Sequence, residues 1–158
     1  MNTETDTIGA AISRIPSGCS IMTAAHEGKK TGVLVSWVQQ VAFEPPSISV
    51  SLKKGRPIVD LVNAAGKFML NVIGDDPSKM FAHFGKGFSL DQDAFDGLSF
   101  RTTGFGPIIE SCIAHLKCEV RETVDAGDHV LYVAEVTGAG AVEDAKPYTH
   151  IRKNGMSY

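Results

Sequence analysis

The sequence predicts a mainly β domain, an antiparallel barrel or sandwich with a few short helices. Short runs alternate apolar and polar side chains at the two-residue period of a strand, most clearly over 47–52 and 130–136. Turn-forming clusters separate such runs at 26–30, 44–46 and 125–128. Helical periodicity is confined to brief stretches, and no G-x-G-x-x-G follows a strand, which argues against a doubly wound dinucleotide-binding sheet.

Taken in order, Ile8, Ala11, Ile12 and Ile15 predict an amphipathic helix over 7–15, making residues 1–15 an N-terminal helical segment. Residues 19–25 read as a strand, His26–Lys30 as a hairpin turn, and 32–38 as its partner strand. Residues 37–40 begin a loop that Glu44-Pro45-Pro46 closes. In the strand that follows, Ile48, Val50 and Leu52 alternate with Ser47, Ser49 and Ser51, giving an apolar face and a hydroxylated one. Pro57 opens a helix over 56–65 whose apolar residues are Ile58, Leu61, Val62 and Ala65; proline suits the first helical position because no partner for its nitrogen is needed there. A strand over 67–73 and a short helix from Asp76-Pro77 to His83 come next. Residues 85–106 are rich in glycine, aspartate and phenylalanine, and the four phenylalanines (Phe88, Phe95, Phe100, Phe105) point to an ordered, packed segment. Two alternating strands follow, the first placing Leu116, Cys118 and Val120 on one face, the second Val130, Tyr132, Ala134 and Val136. Residues 148–152 form a last strand.

Length and composition describe one domain of 158 residues, 43% hydrophobic and 21% charged, enough for a proper core. A net charge of −3 and the lack of a basic run give no reason to expect nucleic acid. No apolar run approaches the ~20 residues of a membrane span. The first residues lack the basic start and apolar core of a secretory signal, so a cytoplasmic location is expected. Cys19, Cys112 and Cys118 make no C-x-x-C pair and are expected to be buried, inert thiols. The histidines show no zinc-ligand spacing and no G-x-S-x-G elbow is present, so neither a metal site nor a hydrolytic triad is predicted.

Chemistry concentrates in Thr31–Arg56. Behind the serine-faced strand stand Lys53, Lys54 and Arg56, at the entrance of the helix opened by Pro57. Cations beside a helix N-terminus suit a phosphate. Alternation turns Lys54 away, leaving Lys53 and Arg56 as the candidates. Trp37, the single tryptophan, reads on its own as a packing residue. Asn71 is a polar residue inside the apolar strand FMLNVI, where burial demands partners; a structural partner and a cofactor edge serve equally.

SWVQQVAFEPPSISVSLKKGR (36–56) resembles the signature stretch of the flavin reductase-like, FMN-binding split-barrel family. GKFMLNVI, GDHVLYVAEV and YTHIRKNGMSY resemble later blocks of that family in the same order, so the likeness runs from about Pro16 to the end. The Trp37-Val38-Gln39-Gln40 loop is closest to its flavoredoxin and flavodiiron-associated branch. The resemblance implies one domain over 1–158, a Greek-key antiparallel split β-barrel, homodimeric, with FMN as cofactor and NADH or NADPH as electron donor. It implies FMN contacts from Val35, Ser36, Trp37, Val38, Gln39, Ser51, Leu52, Lys53 and Arg56, with Asn71, Lys86 and Phe88 as further candidates. His129, in Gly-Asp-His, matches the block whose histidine lies near the nicotinamide. His150 and Arg152 match another block and read otherwise as strand ends at a subunit interface.

The activity so implied is hydride transfer from NAD(P)H to flavin, with no catalytic side chain required. The rival reading is an FMN-binding electron carrier that serves a protein partner or a ferric chelate. An oxygenase or another redox protein would be the downstream partner.

Overall fold

The computed structural model describes residues 3–140 and 143–158. Its frame is a seven-stranded antiparallel sheet. In chain order the sheet strands are β2 (Ser20–His26), β3 (Lys29–Val35), β4 (Val38–Phe43), β5 (Pro46–Lys53), β6 (Lys67–Val72), β9 (Ala114–Asp125) and β10 (His129–Gly140). Two small ladders complete the strands: β1 (Ser17–Gly18) with β11 (Thr149–His150), and β7 (Phe100–Arg101) with β8 (Ile108–Ile109). The helices are α1 (Glu4–Ile12), α2 (Pro57–Ala65) and α3 (Ser78–Phe84).

The sheet order is β3-β2-β6-β9-β10-β5-β4, so its two edge strands are consecutive in the chain, joined only by Ser36 and Trp37. A flat sheet of that width would hold its edges roughly 29 Å apart. The link from Val35 to Val38 reaches about 11 Å at most. The sheet therefore has to curl until its edges meet, and the result is a split barrel with a seam at Ser36-Trp37. This agrees with the fold expected from the sequence.

Met22, Val35, Val50, Leu52, Phe68 and Tyr132 fill the barrel interior, and Ile58, Leu61 and Val62 of α2 close one end. Gly66 ends α2 in the left-handed region (φ 66°) while its N–H donates to Val62 O, a role glycine fills without strain. A second core lies outside the sheet, where Ile21 and Ile73 pack with Phe84, Phe95, Ile109 and Cys112. The phenylalanine-rich segment is thus ordered packing, as predicted.

Several boundaries differ from the sequence reading. The first helix spans Glu4–Ile12, not 7–15, because Thr3 and Asp6 form a reciprocal cap and Pro16 disfavours helix at Ile15. The strand expected over 32–38 stops at Val35. The expected loop beyond Trp37 contains β4, an exposed edge strand whose alternation is broken by a bulge between Gln40 and Ala42. Strands β9 and β10 each run to 12 residues, well past the alternating stretch. Bulges at Val133/Ala134 and Val136/Gly138 interrupt their period, and residues 121–128 are exposed on both faces. The last strand shrinks to Thr149–His150.

Candidate functional site

The seam gathers the ends of several elements. Ser51 N–H donates to Trp37 O (3.1 Å), tying the β5 end to the linker. Lys53 pairs with His129 across β5 and β10, and Lys54 N–H donates to Asp128 O (3.0 Å). Arg56 caps the N-terminus of α2 with extended backbone, and its own side chain makes no capping hydrogen bond to that helix end. Between these groups lies a cavity of about 200 Å³, walled by Val33, Val35, Leu52 and Phe84, with Lys53, Arg56 and Arg152 at its polar side. Two flanking clefts of about 600 and 460 Å³ share Trp37, Ser51 and Arg152 with it. Binding sites for small molecules commonly measure ~300–1,000 Å³, so a planar ligand needs the cavity together with a flanking cleft.

The barrel register explains how the serine face serves this place. Ile48, Val50 and Leu52 point into the core, which turns Ser49 and Ser51 outward as half-buried hydroxyls on the cleft. Val35, Ser36, Trp37, Ser51, Leu52, Lys53 and Arg56 all line the central cavity. Val38 and Gln39 line one flanking cleft and His129 the other. Lys54 turns away to Asp125, with 2.8 Å to each carboxylate oxygen. Among the described residues Lys53, Arg56 and Arg152 take part in no ion pair.

Three candidates stand elsewhere. Asn71 is fully buried with internal partners and lines none of these cavities: its Nδ2 donates to Ile21 O (3.1 Å), and its Oδ1 accepts from Ile109 N–H (2.9 Å) and lies 3.0 Å from His115 Nδ1. Its hydrogen bonds at the junction of β6, β8 and β9 account for its polarity and support the structural one of its two sequence readings. Lys86 is exposed, with its ammonium over the Phe88 ring, and Phe88 packs on His83 and Phe84. The loop meets the site through its glycines instead. Gly85 lines the cavity, and a Cβ on Gly87, itself at φ +73°, would lie 3.5 Å from an Arg56 guanidinium nitrogen.

Four groups were not carried into the site from the sequence: Asp128, His150, Arg152 and Tyr158. For the last three the signal is present, since YTHIRKNGMSY resembles a family block, but strand register cannot place its residues. The Arg152 guanidinium lies 5.0 Å from the Trp37 ring, and the Tyr158 ring stands 5.6 Å from the same indole. His129 is buried, 4.7 Å from Trp37; its Nδ1 meets Asp128 Oδ1 at 2.8 Å and its Nε2 meets the Tyr158 hydroxyl. The aspartate acceptor holds a proton on Nδ1, and the Tyr158 hydroxyl engages Nε2, so both ring nitrogens are partnered. The hydrogen bond to His129 holds the Asp128 carboxyl below its usual range, whereas desolvation pushes the Tyr158 phenol up, so this hydroxyl keeps its proton.

His150 Nδ1 is buried without a hydrogen-bond partner among the described residues, and its ring lines the central cavity. Burial, then the nearby Arg152 charge, lowers its pKa, which keeps the ring neutral. The donor set is therefore cationic at one side, hydroxylated along β5, apolar behind, and completed by an unsatisfied imidazole nitrogen. It fits a flat ring with a phosphate tail. Among the described residues no group of three or more His, Cys, Asp or Glu is placed to hold a metal ion, and no helix is long and apolar enough to cross a membrane.

A curled antiparallel sheet with such a seam defines a flavin-type split barrel. Residues 12–157 match the model of the flavin reductase like domain, and the chain belongs to that family. Diflavin flavoprotein A 1 of Synechocystis sp. is 36% identical over 152 residues, 94% of this chain but 26% of that protein. The chain spans about a quarter of the length of the curated relatives it matches. Among solved structures, nitrilotriacetate monooxygenase component B from Mycobacterium thermoresistibile superposes with a TM-score of 0.80 at 27% identity, covering 92% of this chain and 81% of that one. The styrene monooxygenase flavin reductase from Pseudomonas putida S12 gives 0.75 at 26%, covering 90% of each.

Proposed function

We propose that this chain binds FMN in the seam cleft and works as a flavin reductase with NADH or NADPH as donor. The carrying observation is that the stretch resembling the family's flavin-contact signature is the one that lines the cationic cavity. A bound flavin would supply the hydride acceptor, chemistry that belongs to the cofactor.

The chain's own part is binding and placement. Lys53 and Arg56 hold the phosphate, helped by the open N-terminus of α2. Ser51 and the backbone of residues 36–39 offer hydrogen-bonding edges to the ring system. Val33, Val35 and Leu52 keep water from its inner side. Trp37 and His129 give an aromatic surface, their planes tilted by 39°, against which a second ring can be oriented. Asp128 fixes the His129 tautomer. No side-chain acid or base needs to act, which accords with the lack of a catalytic constellation.

The family resemblance further implies a homodimer. Val41 and Phe43, exposed at 49% and 89% on the edge strand β4, are apolar surface compatible with it. A second reading, an FMN-bearing electron carrier that passes electrons to a redox protein or ferric chelate, is favoured by the match to part of the much longer diflavin flavoproteins.

The test is the anaerobic visible spectrum of FMN-loaded protein before and after NADH or NADPH. Bleaching faster than for free FMN supports the reductase and identifies the nucleotide. Flavin that stays bound and oxidised favours the carrier. Failure to take up flavin rules out both.

A further inference from the structure

We propose that Tyr158 is a placeholder residue: it rests against Trp37 and His129 where the donor's nicotinamide must lie, and has to leave before that ring can stack. The inference rests on the flavin reading above and deepens it, because it makes Tyr158 a determinant of donor affinity.

Geometry carries the argument. The Tyr158 ring is 5.6 Å from the indole of Trp37 and 6.0 Å from the imidazole of His129, while its hydroxyl occupies His129 Nε2. The Arg56 guanidinium lies 5.9 Å from the same ring. An aromatic surface, a hydrogen-bonding ring nitrogen and a cation are what a nicotinamide ring with its carboxamide would use, and Tyr158 engages all three.

The segment leading to this ring is seated at a fixed place yet lightly held. Gly155 N–H donates to Gly9 O on α1 (2.8 Å). A Cβ on Gly155 would come within 2.6 Å of Ile12 Cβ, and one on Gly9 within 2.7 Å of the Asn154 side chain. Two glycines thus let residues 154–156 lie flat on α1, which anchors the strap one turn of chain before Tyr158. Beyond the anchor, Tyr158 remains 70% exposed. It lines the central cavity and the flanking cleft that holds His129 but belongs to neither hydrophobic core, so it can swing away while Gly155 stays docked. A site whose competent form is only partly populated binds its ligand more weakly by that fraction.

The test compares wild type with Tyr158→Ala and Tyr158→Phe, using FMN and then NAD⁺ or NADP⁺, oxidised nucleotides that cannot reduce the flavin. FMN affinity is read by flavin fluorescence, and nucleotide affinity by calorimetry on the FMN-loaded protein. Tyr158→Ala should bind the nucleotide about 2- to 10-fold more tightly, the equivalent of one aromatic contact, with FMN affinity within about twofold of wild type. Tyr158→Phe keeps the ring and frees His129, so it should fall between. Unchanged, weaker or undetectable nucleotide binding in Tyr158→Ala overturns the placeholder. Equal tightening of FMN also overturns it, by placing the ring on the flavin seat. If wild type takes up no FMN, the flavin reading falls, and the placeholder with it.

Discussion

Arg56→Ala is the sharpest probe of the site, because the structure separates its proposed phosphate-binding role from any stabilising one. Arg56 is half-buried, lines the cavity and sits in extended backbone before Pro57. Its carbonyl takes the first helical bond from Val59 N–H (3.0 Å), which alanine preserves. Its guanidinium is in no ion pair among the described residues, so removal orphans no carboxylate. A hydrogen bond to a charged group contributes about 1.5–3 kcal/mol. Partial exposure favours the lower end, so FMN affinity should drop by about 10- to 30-fold. Riboflavin, which lacks the phosphate, supplies the internal control. Fluorescence titrations of both flavins with wild type and variant give four constants. Arg56→Ala should weaken FMN and leave riboflavin within about twofold, and Arg56→Lys should recover part of the loss through charge without the planar fork. Equal losses for the two flavins, or none for FMN, would refute the phosphate seat.

Two further outcomes are expected. Asn71→Ala leaves the Ile109 N–H and His115 Nδ1 without their acceptor in a buried site, so urea unfolding should show a loss of about 2–6 kcal/mol, with FMN affinity of the folded fraction unchanged; intact stability with weakened FMN would instead restore the cofactor-edge role. Burial pushes the thiol of Cys19 up to about 11 and those of Cys112 and Cys118 to about 12; a thiol reagent at pH 8 should therefore find no reactive cysteine until denaturant releases all three, and prompt reaction of one in the native protein would contradict the packing around it.

Local patterning was enough for elements whose two sides differ. Ile48, Val50 and Leu52 against three serines specify a strand with one buried face, and the structure keeps that register. Pro57 and Gly66 bracket α2 because their backbone preferences are intrinsic. Strand β4 is not legible in the sequence because an edge strand exposed along most of its length carries no burial alternation, and its bulge breaks the remaining period. Asn71 was ambiguous for a related reason: a sequence shows that a buried amide needs partners but not which groups, 38 and 44 residues away, will supply them.

The strand-rich class, the basic entrance to α2 and the segment that lines the cavity are legible in local sequence, since these depend on neighbours along the chain. Tertiary structure alone decided that the edges β3 and β4 meet at Trp37, because closure depends on the order of strands in the sheet. It also decided that His129 and Tyr158, 29 residues apart, share one hydrogen bond. Only the path of residues 151–158 over α1 brings Arg152 and Tyr158 to the indole, and that path is fixed by the close approach of Gly9 and Gly155, a contact that no local periodicity encodes.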